Sequence, residues 1–199
     1  LERILLVTPR ADISLKANGA LGEATLSETT YGPVLDLLAD HQVKTIGELE
    51  QTLASQNLEV SFGQLLQVVV VMAGQGHLYS AQDEAVAANA RIQTDALNQH
   101  LMQLARSSQD IGVLASPVLG GGLPVGRFGQ LFLLSLKQDH KDAAKLAQEA
   151  WAWLEMQGQL LVKDGQTIER KEDNLSELTQ QAQTFLDNQL PILRSAGIA

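Results

Sequence analysis

Two helix starts in the first half of the chain carry the same capping signal, and this signal constrains the fold more than any other feature. Thr45 and Glu48 open the segment TIGELEQTLASQ, and Ser61 and Gln64 open SFGQLLQVVVVMAG. At this spacing each side chain can satisfy a free backbone N–H group of the first helical turn. We expect the second helix to end at Gly74, which can serve as a left-handed cap. The sequence therefore predicts two short helices in close succession.

The segments around these helices complete a winged-helix outline. Tyr31 to Asp40 carries apolar residues at helical spacing, and GQGHLYSA after the second capped helix predicts a short strand. Val68 to Val71 favours a strand by propensity, but capping and length favour a helix, and apolar residues on all its sides predict burial. Three helices followed by a strand are the outline of a winged-helix domain. LERILLV (1–7) predicts a further strand at the start of the chain.

A second series of elements follows. The Ala-rich region after Ala81 is ambiguous, and Thr94 to Ser107 reads as a helix. IGVLASPV (111–118) predicts a strand and RFGQLFLLSLKQ (127–138) a helix. Asp139 can cap the helix after that, which should stop at a glycine, Gly158.

The last third of the chain predicts a hairpin and a long helix. Asp164-Gly165 between two apolar runs is a strong hairpin signal. Asn174 and Glu177 are expected to cap a helix that ends near Pro191. Met72–Gln75 and Met156–Gln159 repeat the order helix, glycine, strand, which suggests two similar modules.

These elements predict an α+β fold that is mainly helical, built from winged-helix-like modules with short β-hairpins. The expected segments are an N-terminal strand and turn (1–30), a winged-helix-like module (31–110), and a second helix-and-hairpin module with a long C-terminal helix (111–199).

The composition narrows the classes of partner. The chain has 199 residues and a net charge of −9, from 23 acidic and 14 basic side chains. This charge argues against broad binding to nucleic acids or anionic membranes. Cysteine is absent, which excludes disulfides, thiolate zinc sites and a Cys nucleophile and fits a cytoplasmic location. The longest apolar run, LLQVVVVMAG, is about half of the roughly 20 residues that a membrane span needs.

The stretch SPVLGGGLPVGR (116–127) is the main candidate for chemistry. It fails the P-loop pattern because Arg127 and Phe128 stand where that pattern needs a lysine and a hydroxyl residue. It fails the dinucleotide pattern because Val125 stands at the third glycine position, and the proline before it removes a backbone N–H donor. Neither phosphate-binding template is complete.

Two interpretations of this stretch stay open. Its glycines and prolines can form a plain strand-to-helix connection. Alternatively, the loop holds a partner segment or peptide, and Arg127 pairs with a carboxylate. The candidate residues for contact with a partner or substrate are Ser116, Gly120, Gly121, Gly122 and Arg127.

No catalytic, cofactor-binding or metal-binding residue is predicted. The histidines do not have the spacing of metal ligands, and no GxSxG motif occurs. His77 precedes a predicted strand and is interpreted as a packed or hydrogen-bonded residue. The presumptive recognition helix, Ser61 to Ala73, contains no Lys or Arg, although a DNA reader needs cations there.

Several stretches together resemble a known family. They are LERILLV, HLYSAQDEAVAANARIQTDALNQHLMQLAR, DIGVLASPVLGGGLPVGRFGQLFLLSL and the C-terminal region from WAWLEMQGQLLVKDGQTIE onward. This set resembles the C-terminal half of bacterial S-adenosylmethionine-dependent methyltransferases with a methyltransferase regulatory domain, a group that includes protein-lysine methyltransferases of the rickettsial type. The resemblance covers nearly the whole chain. It implies an N-terminal Rossmann-like catalytic domain, a middle regulatory or dimerising region, and C-terminal winged-helix modules.

The chain departs from this family in one respect. The glycine-rich strand–loop–helix that holds S-adenosylmethionine is absent, and Leu1 would fall downstream of it. We therefore expect a fragment of a longer protein, and we assign no cofactor to this chain. The resemblance makes Ser116–Arg127 the best candidate surface for contact with substrate or with the catalytic domain.

The expected function is that of a non-catalytic accessory or regulatory C-terminal region of a methyltransferase, while the parent protein supplies the chemistry and binds S-adenosylmethionine. The expected partners are its own catalytic domain, a protein substrate and a second copy of the chain, with no nucleic acid and no membrane. One alternative is a winged-helix DNA-binding regulator. Another is a stand-alone enzyme that uses Gly120–Gly122 for a phosphorylated ligand.

Overall fold

The computed structural model describes residues 2–19 and 22–199. Its fold is α+β and mainly helical, with small antiparallel sheets, which confirms the predicted fold class. The chain divides into two compact units. Unit 1 comprises the chain up to Ala88 together with Val118–Gly120, and unit 2 comprises Asn89–Pro117 together with Gly121–Ala199.

The strands of unit 1 form one sheet and one separate hairpin. In chain order they are β1 (Arg3–Leu6), β2 (Lys16–Gly19), β3 (Gly22–Thr25), β4 (Lys44–Thr45) and β5 (Leu78–Ser80). β1 lies in the middle of an antiparallel sheet of order β4-β1-β5, and β2 pairs with β3. The predicted first and last strands of this unit are therefore confirmed.

The helices of unit 1 are α1 (Glu28–Leu38), α2 (Ile46–Ser55) and α3 (Phe62–Gly74). Both capping boxes are present. The backbone N–H of Thr45 donates to the carboxylate of Glu48 at 2.7 Å, and the hydroxyl of Thr45 accepts from the N–H of Glu48 at 3.1 Å. Because these pairs fix where α2 and α3 begin, the helix starts could be predicted to within one residue.

The prediction for the end of α3 is confirmed in one part and wrong in the other. The helix ends at Gly74 as predicted, but the left-handed residue is Gly76, with φ of +80°, and not Gly74. Gly76 donates its N–H to Ala73, and His77 donates to Met72, so the turn that closes the helix lies just beyond its last residue. This pair of bonds satisfies carbonyl groups that the helix end would otherwise leave without donors.

Unit 1 has the predicted order of helices and strand, with one change of connection. The order α1-β4-α2-α3-β5 is that of the winged-helix outline, but the middle strand of the sheet is β1, from the start of the chain. After β5 the chain continues into a long helix. The helices and this sheet enclose an apolar core, formed by Ile4, Leu6, Ile13, Tyr31, Val34, Leu35, Leu38, Leu49, Leu53, Leu65, Val68, Val69, Met72 and Leu78.

The next elements lead into unit 2. They are α4 (Glu84–Leu104), β6 (Val113–Ser116), β7 (Gly121–Pro124), α5 (Arg127–Leu136) and α6 (Ala143–Met156). The boundary between the units falls inside α4. The Ala-rich region that the sequence left ambiguous is thus helical, and β7 is a strand that the sequence did not predict.

The start of α6 corrects one prediction. Asp142, and not Asp139, caps this helix, since its carboxylate accepts from the N–H of Lys145 at 2.8 Å. Asp139 has φ of +64° and lies in the turn that closes α5, where its N–H donates to Leu136. Both aspartates fit the sequence pattern of a cap. Asp139 is excluded because it lies in the turn that closes α5, which leaves Asp142 as the cap of α6.

The predicted hairpin is confirmed. β8 (Val162–Lys163) pairs with β9 (Gln166–Thr167), and Asp164 and Gly165 form the turn with φ of +52° and +78°. Two positive φ angles define the turn that an Asp-Gly pair favours. α6 ends before it at Met156, and the glycine predicted to stop it, Gly158, follows two residues later with φ of +63°.

The C-terminal region corrects two predictions. α7 (Lys171–Thr184) begins before Asn174, which is fully buried and does not cap it. The helix passes through a π-helical turn (Phe185–Gln189) into α8 (Leu190–Ser195). Pro191 lies in the first turn of α8 and does not end the helix, because a first-turn N–H needs no partner within the helix.

The compact units differ from the segments predicted at 1–30, 31–110 and 111–199. β1, from the first segment, completes the sheet of unit 1, and residues 89–110 of the second segment belong to unit 2. Which residues belong to which unit depends on the pairing of distant strands and on the length of α4. Local composition shows neither of these features.

A search of the described residues for a helix long and apolar enough to cross a membrane found none.

Candidate functional site

The glycine stretch forms a β-hairpin that leads into a helix. β6 and β7 pair from Ser116 opposite Gly121 to Val113 opposite Pro124. Helix α5 begins at the next turn of the chain, with Gly126 at its N-cap position. The structure therefore places a strand-to-helix connection here, with an additional strand in it.

Backbone geometry accounts for two of the glycines. Gly120 has φ of +64°, and a Cβ atom there would lie 2.6 Å from Nε2 of Gln82. A Cβ atom at Gly122 would overlap the side chain of Val113 on the paired strand. Gly121 is exposed with nothing within 4 Å of a Cβ position. Gly120 and Gly122 are thus required by the hairpin, and Gly121 is the open position.

Ser116 lies inside unit 2. It is 2% exposed, and its hydroxyl donates to the carbonyl of Ala196 at 2.5 Å. This bond joins β6 to the residues that follow α8. A side chain so deeply buried offers no surface to a partner, so its role in this conformation is structural.

Arg127 joins the ends of three helices. Its Nε donates to the carbonyl of Ala105 at 2.8 Å, and its Nη2 donates to that of Arg106 at 3.0 Å. Both carbonyls lie just beyond the end of α4, where a cation complements the helix dipole. Its Nη1 donates to the amide oxygen of Gln159, after α6, at 2.7 Å. Arg127 itself begins α5.

The guanidinium of Arg127 is held by neutral acceptors. Within the described residues, no carboxylate lies within ion-pair distance of it, and carbonyl and amide oxygens accept its hydrogen bonds. Its expected pairing with the carboxylate of a partner stays a prediction. Partial burial lowers its pKa. Neighbouring Arg106, in the same described part of the chain, also has no carboxylate within ion-pair distance, and its guanidinium lies 4.4 Å from the centre of the Trp153 ring.

Two open cavities in unit 2 share Arg127, Phe128 and Gln181. One, of about 380 Å³, is lined by the start of α5, by α7 and by the π-helical turn. The other, of about 720 Å³, lies between residues 107–110 and 159–162. Amides and hydroxyls make up most of the polar lining, and π-helical turns are frequent at functional sites. These cavities can hydrogen-bond a polar segment.

The carboxylate of Glu177 in the smaller cavity is already engaged. A hydrogen bond from Nζ of Lys163, at 2.6 Å, is the main reason that the pKa of Glu177 is lowered. A carboxyl group held ionised in this way is a poor general acid. The cavity is therefore suited to binding more than to proton transfer.

An exposed apolar stripe runs along α3. Phe62, Leu66 and Val70 are 50%, 40% and 60% exposed, while Leu65 and Val69 on the adjacent face are buried. The three exposed residues repeat every four positions and so lie on one face of the helix. α3 contains no charged residue at all. This helix face is suited to an apolar protein surface and not to DNA phosphates.

Two of the four histidines, His41 and His77, take structural positions. Nδ1 of His77 lies 3.0 Å from the hydroxyl of Thr8, and burial lowers the pKa of His77. The interpretation of His77 as a hydrogen-bonded residue is confirmed. His41 is buried, with Nδ1 2.9 Å from the carbonyl of Leu6. Among the described residues, no group of three or more His, Asp or Glu side chains could hold a metal ion.

Two buried asparagines were missed by sequence reasoning. Asn98 on α4 donates to the carbonyl of Ala115 at 2.8 Å and accepts from its N–H at 2.7 Å, like a neighbouring strand. Asn174 accepts from the N–H of Leu161 and donates to the carbonyl of Ile168, which fixes the β8–β9 hairpin to α7. The only sequence signal for Asn98 is a polar residue within an apolar stripe. Asn174 has the sequence pattern of a helix cap, so its contact with the hairpin could not be predicted.

The chain is similar to a protein of Synechocystis sp. (strain ATCC 27184 / PCC 6803 / Kazusa) called "Uncharacterized protein sll1526". The two are 34% identical over 197 residues, which is 99% of this chain and 38% of that protein. The chain thus spans less than half of the relative's length. No protein-family model matches the chain, and no solved structure matches it.

Proposed function

We propose that this chain is a non-catalytic accessory or regulatory region of an S-adenosylmethionine-dependent methyltransferase of the protein-lysine type. It recruits substrate, regulates the catalytic domain or assists assembly, and the catalytic domain binds the cofactor. Its partners are that catalytic domain, a protein substrate and a second copy of the chain, in the cytoplasm. The methyltransferase part of the proposal rests on the sequence resemblance.

The observation that carries the binding role is the exposed face of α3. In a winged-helix-like unit this helix is the one expected to contact a partner, and here it presents Phe62, Leu66 and Val70 without any charge. An exposed apolar stripe lowers the solubility of a protein unless a partner surface covers it for part of the time. The relative of greater length is consistent with a parent protein that carries further domains.

The order of elements in unit 1 favours the second candidate, a DNA-binding regulator, but the chemistry of α3 opposes it. A helix that reads DNA supplies cations to phosphates and polar groups to base edges. α3 has no cation, and the chain carries a net charge of −9. Duplex binding that weakens steeply with added salt would support the DNA-binding candidate over our proposal.

The test uses the full-length Synechocystis relative. We expect it to transfer labelled methyl groups from S-adenosylmethionine to proteins of a cell extract. A version without the 197-residue matched segment should still bind S-adenosylmethionine but should modify fewer proteins or different ones. Absence of transfer by the intact protein, or an identical pattern from both versions, would contradict the proposal.

A further inference from the structure

A cavity of unit 2 combines an apolar floor with a rim of cations. It has a volume of about 310 Å³, which is within the range of small-molecule sites. Leucines from α5, from the π-helical turn and from α8 form its floor. The rim residues and the leucines are Leu133, Leu136, Lys137, Lys141, Leu186, Leu190, Arg194 and Ala199.

Two of the three rim cations, Lys137 and Arg194, differ from most basic side chains in their pairing, a property that they share with Arg106 and Arg127. Most basic side chains have a carboxylate partner, as Lys163 has Glu177 and Lys171 has Glu155. In the part of the chain that the structure describes, Lys137 and Arg194 have none within ion-pair distance. Lys137 donates instead to the amide oxygen of Gln99 at 3.1 Å.

The third rim cation is only loosely engaged. Lys141 lies 3.2 Å from the carboxylate of Asp139, and both side chains are largely exposed. An ion pair in water contributes little and is easily exchanged for another anion. Among the residues that the structure describes, no acidic side chain lines the cavity. In a chain with net charge −9, this is a place where an anion meets three positive groups.

Helix dipoles explain only part of this arrangement. Lys137 follows α5 directly and Arg194 lies in the last turn of α8, where a cation is favourable in any helix. That effect does not require an apolar cavity between the two helix ends. Leu133 and Leu190 are buried at its floor, while Leu136 and Leu186 are half-buried at its walls.

We propose that this cavity binds an amphiphilic anion, a medium-length aliphatic chain that ends in a carboxylate. The tail lies on the four leucines and loses contact with water, which is favourable in proportion to the apolar area buried. The carboxylate accepts hydrogen bonds from Arg194 and the lysines, and such charge-assisted bonds are stronger than neutral ones. This inference is independent of the methyltransferase proposal.

The first measurement is a titration of the full chain with decanoate, below the concentration at which it forms micelles, followed by NMR. We expect saturable shifts with one site, centred on the leucine methyl groups of the cavity. Decan-1-ol has the same tail without charge, and acetate has the same head group without a tail. Each should bind at least tenfold more weakly than decanoate.

The second measurement compares variants of equal charge. Lys137→Gln with Arg194→Gln removes two rim cations on the surface and should weaken decanoate binding at least tenfold. Lys145→Gln with Arg170→Gln makes the same change of net charge away from the cavity and should leave affinity within twofold. Absence of saturable shifts, equal binding of decan-1-ol, or equal weakening by both variants would overturn the proposal.

Discussion

At the scale of single residues, the structure gives the candidate contact residue Arg127 hydrogen bonds within the chain. Arg127 is a candidate by sequence because it ends a glycine-rich stretch, and the structure places it at the junction of α4, α5 and the residues after α6. Its acceptors are carbonyl groups at a helix end. The sequence does not reveal these acceptors, because they belong to residues about twenty positions earlier and thirty positions later along the chain.

The role of Arg127 predicts a loss of stability on substitution. Arg127→Met keeps much of the apolar stem but removes the donor that the guanidinium supplies to the carbonyls of Ala105 and Arg106. The carbonyl of Arg106 keeps a second donor, Nε2 of Gln157, so the loss falls mainly on the bonds to Ala105 and Gln159. We expect the free energy of unfolding to fall by about 1.5 to 3 kcal/mol, the usual scale for hydrogen bonds to a charged group. Urea unfolding measures this.

The control for that variant is Arg170→Met. The side chain of Arg170 is 72% exposed and makes only long ion pairs with Glu172 and Asp173. Its loss should change stability by less than about 0.5 kcal/mol. Equal stability of the Arg127 and Arg170 variants would show that Arg127 is free to serve a partner instead.

Single residues also mark the limits of sequence reasoning. The capping boxes could be predicted because both partners lie within one turn of each other, at Thr45 and Ser61. The prediction of Asp139 and Asn174 as helix caps is wrong. Each residue fits the local pattern of a cap, but each forms its hydrogen bonds with a neighbouring element instead. Asn174 serves the β8–β9 hairpin, and Asp139 closes α5.

At the scale of elements, helix endings are the repeated device of this chain. The sequence echo aligns Gly74 with Gly158, but the structure aligns Gly76 with Gly158, since both have positive φ and follow a helix. His77 donates to Met72 as Gln159 donates to Leu154. The two helices therefore end in similar turns. The sequence match that suggested this pairs Gly158 with Gly74, two residues before the structurally equivalent Gly76.

The orientation of α3 predicts a contrast between two adjacent valines. Val69 is 1% exposed and Val70 is 60% exposed. Val69→Ala removes buried methyl groups and should cost about 2 kcal/mol of unfolding free energy. Val70→Ala should be neutral or slightly stabilising, because alanine is the better helix former.

Thermal or urea unfolding of both valine variants tests the exposed face directly. The two changes are chemically identical and lie one residue apart, so each is the control for the other. A similar loss of stability in both would mean that Val70 is covered in solution, for example by a second copy of the chain. Dilution would then separate that case from an error in the orientation of α3.

At the scale of the whole molecule, sequence pattern predicted the fold class but not its division. Apolar spacing and glycine stops are local and place most helices. The pairing of β1 between β4 and β5, the strand β7 and the extent of α4 depend on contacts between distant residues. The same holds for the candidate site. The sequence predicted a strand-to-helix connection at the glycine stretch, but not its second strand, the cavities or the acceptors of Arg127.

The central claim is that this chain serves a methyltransferase without holding its cofactor. The most direct test is calorimetric titration of the folded chain with S-adenosylmethionine and with S-adenosylhomocysteine. We expect neither compound to give a heat of binding with the folded chain. Saturable binding of either one would contradict this claim, and would mean that the chain contains a cofactor site of its own.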